Sequence, residues 1–159
     1  MAVPTDDDQT EALRRLLVGV RDGDDPFELT AAIADLHISR NTFPGEVFLQ
    51  LGAEALALAG IDHRHKINHE NLLATHFSEV PFKGKDRKRV HYALMSTFAV
   101  HGGLEVDLLE EVTYWIEEYW RYALFAAVAV LRICADHMNT PIAELASQLA
   151  AERNVNLDG

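Results

Sequence analysis

The stretch from Leu104 to Met138 runs for 35 residues without a glycine or a proline. These two residues most destabilise a helix interior, so their absence over this length favours one continuous α-helix. On a helical wheel, its acidic and arginine side chains fall along one side, and its aliphatic and aromatic side chains fill the other. The sequence therefore predicts a long amphipathic helix at the centre of an all-α protein.

Helix start and stop signals divide the rest of the chain into shorter helices. The clearest case is a helix from Pro44 to Ala59, with proline in its first turn and Gly60 after its last. Gly52 lies on the apolar side of that helix, where it would permit close approach of a neighbouring helix. Five other helices are predicted. The first ends at Gly23, and the next three run from Pro26 to about Leu36, from His69 to about Ser78, and from an Asp86 cap to His101. The last helix begins at the Thr140-Pro141 pair.

The predicted fold is an all-α, single-domain bundle of about seven helices packed around the long central helix 104–138. No strand-type alternation of apolar and polar residues persists anywhere in the sequence. A chain of 159 residues is long enough to bury one substantial core, so the domain is predicted to cover 1–159. The acidic leader 1–8 and the tail 154–159 are expected to be frayed.

Charge and cysteine content exclude several classes of function. A net charge of −11 argues against nucleic acid as the main ligand, because phosphate binding needs a basic surface. The N-terminal residues are acidic where a secretory signal is basic, and the apolar half of the long helix is too short for a membrane span. The single Cys134 cannot form an intramolecular disulfide. We therefore expect a cytoplasmic protein without membrane contact.

One window, 61–91, departs from this acidic character. It holds all four lysines of the chain and has a local charge of +3, so the remaining residues sum to −14. Its basic cluster is a candidate site for an anion or an acidic partner, and comprises Lys83, Lys85, Arg87, Lys88 and Arg89. The alternative is a solvated basic loop.

The polar side of the long helix is interrupted by Phe125, Val128 and Ala129, with Tyr114 and Tyr122 along the edge of this apolar patch. Aromatic residues framed by charges are typical of protein interfaces, which predicts a homodimer or another protein partner at this patch. The alternative is that the first or last helix of the same chain covers it.

Histidines form the second chemically unusual group. His69, His76 and His101 fall on the predicted inner faces of two successive helices, and His65 and His137 are further candidates. If these imidazoles converge, they could hold a divalent transition metal or serve in acid–base chemistry. The alternative is that they are helix-end histidines bonded to backbone or acidic groups.

From these observations, we expect a protein that acts through protein–protein contact, as a homodimer, without a cofactor. The alternative is a metal-dependent or acid–base enzyme that uses the histidine cluster. A small-ligand pocket near Trp115 and Tyr119 is a third possibility, which sequence alone does not separate from core packing.

Overall fold

The computed structural model describes residues 6–34, 44–62, 84–105 and 119–158. Within these ranges the chain forms helices and no strands, which confirms the all-α class. The described helices are α1 (Asp6–Asp22), α2 (Pro26–Ala34), α3 (Pro44–Ala59), α4 (Lys85–His101), α5 (Tyr119–Met138) and α6 (Ile142–Glu152). The predicted helix from His69 to Ser78 lies outside the described residues, so six helices are described where about seven were expected.

Helix α5 is the centre of the bundle. It packs against α3 and α4 along most of its length, and also against α2 and α6. Every residue from Ala123 to Leu131 is buried, so neighbours cover this helix on all sides. Four of these residues are alanines, whose small side chains let the surrounding helices approach closely. Within the described ranges, Tyr119–Met138 therefore lies in the middle of the helices that pack against it.

The predicted start of this helix at Leu104 is wrong. Leu104 and Glu105 are not helical, and 106–118 lie outside the described residues. The backbone N–H of Gly103 bonds to the carbonyl of Val100, and that of Leu104 bonds to the carbonyl of Ala99, both at 3.0 Å. Gly103 has a φ of 104°, which favours glycine. The two bonds form a Schellman motif that ends α4 and uses Leu104 as part of its cap.

Gly52 permits a close contact between helices in the core, as predicted. A Cβ atom added at Gly52 of α3 would lie 2.6 Å from Cγ2 of Thr97 on α4 and 3.7 Å from Cγ1 of Val130 on α5. Thr97 is completely buried, and its hydroxyl donates to the carbonyl of Ala93 at 2.9 Å. Helices α3, α4 and α5 therefore meet at a position where only hydrogen fits.

Helix α2 lies across one side of α5 and is fixed from two directions. From α1, the Arg15 guanidinium donates to the carbonyl of Ala32 at 2.8 Å, and Leu29 packs against Gly19. From α5, the ring of Phe125 meets the ring of Phe27 edge to face. This short helix therefore covers part of the central helix.

The last described residues of the chain pack back onto the bundle. Val155 and Leu157 are half-buried against the core. The N–H of Val155 bonds to the carbonyl of Ala150 at 2.8 Å, and Arg21 of α1 donates to the Asp158 carboxylate at 3.2 Å. At the other end, α1 begins at Asp6, so the predicted leader overlaps the first helical turn.

Among the described helices, none combines the length and apolar character that a bilayer span requires.

Candidate interaction surface

A hydrogen-bonded network fixes the start of α4 against α5. The hydroxyl of Tyr122 donates to the Asp86 carboxylate at 2.8 Å and accepts from the Arg89 guanidinium at 3.1 Å. The same guanidinium lies 5.5 Å from the centre of the Tyr122 ring, within cation–π range. Burial is the main reason that the pKa of Tyr122 is raised, while the bond from Arg89 opposes this shift. The phenol therefore stays neutral and can both donate and accept.

This network corrects the role predicted for Asp86. The sequence places Asp86 at the N-cap of the helix, but α4 begins one residue earlier and Gly84 is its N-cap. Asp86 lies within the first turn, and its carboxylate bonds to a side chain of α5. The Asp86 carboxylate therefore bonds to Tyr122 of a distant helix instead of capping its own helix, as the local pattern predicted.

Three cations of the predicted basic cluster stand exposed beside this network. Lys85, Arg87 and Lys88 are exposed, whereas Arg89 is half-buried and donates to Tyr122. The positive end of a helix dipole disfavours cations in the first turn by a few tenths of a kcal/mol each. Lys83 lies outside the described residues. The structure thus divides the predicted cluster into one anchoring residue and three that face solvent.

A groove continues from these cations along the outer side of α4. Its volume is about 480 Å³, and the described residues that line it all belong to the start and outer turns of α4: Gly84, Arg87, Lys88, His91, Tyr92 and Met95. Met95 is 53% exposed, the largest exposed fraction among the large apolar side chains of the described residues. Sequence reasoning missed Tyr92 and Met95, although the spacing of Lys88, Tyr92 and Met95 places them on one side of a helix. The surface is therefore basic at one end and apolar at the other.

The apolar patch predicted on α5 is not at the surface. Phe125, Val128 and Ala129 are 4%, 2% and 0% exposed. Phe27 covers the Phe125 ring with a centroid distance of 5.2 Å. A partner cannot contact these side chains while α2 is in place, so the cover comes from the chain itself. Of the edge residues, Tyr122 belongs to the network with Asp86, and Tyr114 lies outside the described residues.

The histidines predicted to bind metal are only partly described. His65, His69 and His76 lie outside the described residues, and His137 is exposed at the end of α5. His101 has its Nε2 atom 2.7 Å from the carbonyl of Ile61. A carbonyl only accepts, so Nε2 carries the proton and donates, and this nitrogen is not free to bind a metal. Within the described ranges, no three histidine, cysteine or acidic side chains are grouped as metal ligands.

Tyr119 lies in the buried core, beside Tyr92. Tyr119 is 1% exposed and meets the Tyr92 ring edge to face at 6.1 Å. Burial raises the pKa of Tyr119 to about 12. Burial likewise raises the pKa of the Cys134 thiol to about 12, which makes it a poor nucleophile. Trp115, the other residue of the proposed ligand pocket, lies outside the described residues.

Comparison with models of protein families, with curated proteins and with solved structures finds no match to this chain.

Proposed function

We propose that this protein acts by binding an acidic surface of another protein, through the basic start of α4. One observation carries the proposal: Lys85, Arg87 and Lys88 are exposed together on a helical turn that the Asp86–Tyr122–Arg89 network fixes to the core. A fixed turn presents its charges with less loss of conformational freedom than a loop would, which favours binding.

Charge supports this choice of partner. The protein carries a net charge of −11, whereas the window that contains the start of α4 has a local charge of +3 and holds all four lysines. Charges that oppose the net charge do not serve general solubility, and complementary charges raise the rate and specificity of association. Nucleic acid is a weaker candidate, because binding along its phosphates needs a more extended basic surface than these three exposed cations provide.

The homodimer remains a prediction, but the residues on which it rested are covered. Phe125, Val128 and Ala129 lie beneath the chain's own helices, so they give it no support. A second copy of the chain is itself acidic and could use the start of α4. Sedimentation velocity of the wild-type protein over a wide range of concentration separates self-association from binding to a different protein.

The experiment compares two variants that change the net charge equally. The test variant carries Lys85→Gln, Arg87→Gln and Lys88→Gln, and the control carries Gln50→Glu, Ser147→Glu and Gln148→Glu on exposed positions of α3 and α6. Binding of a fluorescein-labelled polyglutamate peptide is followed by anisotropy. Three exposed ion pairs of about 0.5 kcal/mol each amount to about tenfold in Kd, so the test variant should lose that factor. Equal affinities for the two variants would overturn the proposal.

A further inference from the structure

We infer that the groove along α4 takes an acidic amphipathic helix, whose apolar side chains lie on Tyr92 and Met95 and whose acidic side chains meet the cations at the start of α4. This inference rests on the proposed function and names the chemistry of the partner. It adds to the proposed function an apolar contact with Tyr92 and Met95, which binding through the cations alone does not require.

The spacing of the groove fits a helix. Its lining residues recur once per turn of α4, at Gly84, Arg87 or Lys88, His91 or Tyr92, and Met95. Three turns of an α-helix extend over about 16 Å. A partner helix lying along such a groove presents side chains at i, i+3 or i+4, and i+7 with the same spacing. An extended strand repeats every second residue and would not keep this register.

The apolar end of the groove supplies the contact that an acidic protein needs. A net charge of −11 repels a uniformly acidic partner, and salt screens much of this repulsion at distances beyond about 8 Å. Binding therefore depends on contacts made within the groove itself. Met95 is flexible, polarisable and 53% exposed, and methionines of this kind accommodate varied apolar side chains at binding surfaces. The adjacent half-buried Tyr92 provides a flat aromatic surface.

Two labelled peptide isomers of glutamate, leucine and alanine test this inference on the full-length protein. In one isomer the leucines form a single stripe at i, i+4 and i+7, and in the other they are distributed around the helix. The wild-type protein should bind the striped isomer about tenfold more tightly. Met95→Gln should abolish that preference. Leu104→Gln should keep it, because Leu104 is another exposed apolar residue, 38% exposed, that does not line the groove.

The outcomes distinguish this inference from the proposed function. Equal binding of the two isomers to the wild type, or an unchanged preference in Met95→Gln, overturns the groove as a helix site. If polyglutamate still depends on Lys85, Arg87 and Lys88, the proposed function survives that result. If the wild type is a dimer and the Met95→Gln variant is a monomer, the groove binds a second copy of the chain, and the inference is overturned. Circular dichroism of the two variants confirms that both remain folded.

Discussion

The ring of Phe27 meets the ring of Phe125 edge to face, with centroids 5.2 Å apart and an angle of 72° between the ring planes. Phe125 is 4% exposed, whereas Phe27 is 42% exposed and forms the outer layer of this contact. The pair joins α2 to the central helix and covers a patch that on a helical wheel lies among charged residues. The contact therefore determines whether α5 is a core element or a binding surface.

Substitutions at this pair should affect stability, not oligomeric state. Phe125→Glu buries a carboxylate without a designed partner, so we expect the free energy of unfolding to fall by about 3 kcal/mol or more. Phe27→Ala should cost about 1 kcal/mol, because much of its ring already contacts water. Urea denaturation measures both changes. The contrary result is a wild type that is a dimer and a Phe125→Glu variant that is a monomer of wild-type stability. That result would show that Phe125 is an interface residue.

Tyr122→Phe tests the network that fixes the start of α4. The substitution removes the donor to Asp86 and the acceptor for Arg89 while keeping the ring. We expect a loss of about 1 kcal/mol in the free energy of unfolding, because these bonds are partly exposed and water replaces them. Tyr92→Phe is the matched control, since Tyr92 lies outside this network. An equal effect of the two substitutions in urea denaturation would argue against a special role for Tyr122.

Gly52→Ala tests the close approach of α3, α4 and α5. Alanine improves helix propensity by about 1 kcal/mol, but its Cβ atom would lie 2.6 Å from Cγ2 of Thr97. Overpacking of this kind costs about 1–3 kcal/mol, so we expect a net loss of stability. Thr97→Ser removes the clashing methyl group and keeps the hydroxyl, and it should restore part of the loss in the double variant. Thermal unfolding of the four proteins gives the coupling energy, and a value near zero would contradict the close contact.

The Glu11 carboxylate predicts one feature of the pH dependence of stability. A hydrogen bond from Arg14 is the main cause that lowers the pKa of Glu11 from 4.5 to about 2, with a smaller contribution from Arg15. Because the folded-state pKa is lower than the unfolded one, the stabilisation is present above pH 4.5 and is lost as the pH falls towards 2.

Both partners are about one-third exposed, so solvent reduces the effect to about 0.5 kcal/mol. Glu11→Gln should therefore be less stable than the wild type at neutral pH and equally stable near pH 2. Glu152→Gln, at the exposed end of α6, serves as the control. A difference that is independent of pH would show that the carboxylate charge is not the cause.

Local signals in the sequence were sufficient for much of the fold. The helix Pro44–Ala59 has the predicted bounds, because proline and glycine act on the backbone at their own positions. These features depend on residues close together in the chain.

What the sequence did not predict depends on contacts between distant segments. A wheel marks Phe125 as apolar on a charged side, but it does not show that Phe27 lies above it. The capping preference of aspartate similarly gives no sign that Tyr122 binds Asp86. The exposed Met95 was missed for a related reason, because an apolar residue in a helix is expected to be buried until its neighbours are known.

The most direct test of the central claim is the ratio of polyglutamate Kd values between two proteins of equal net charge. One carries Lys85→Gln, Arg87→Gln and Lys88→Gln, and the other carries Gln50→Glu, Ser147→Glu and Gln148→Glu. We expect a ratio of about ten, with weaker binding by the variant that lacks the cations of α4. A ratio near one would mean that the protein responds only to total charge, and that the start of α4 is not a binding surface.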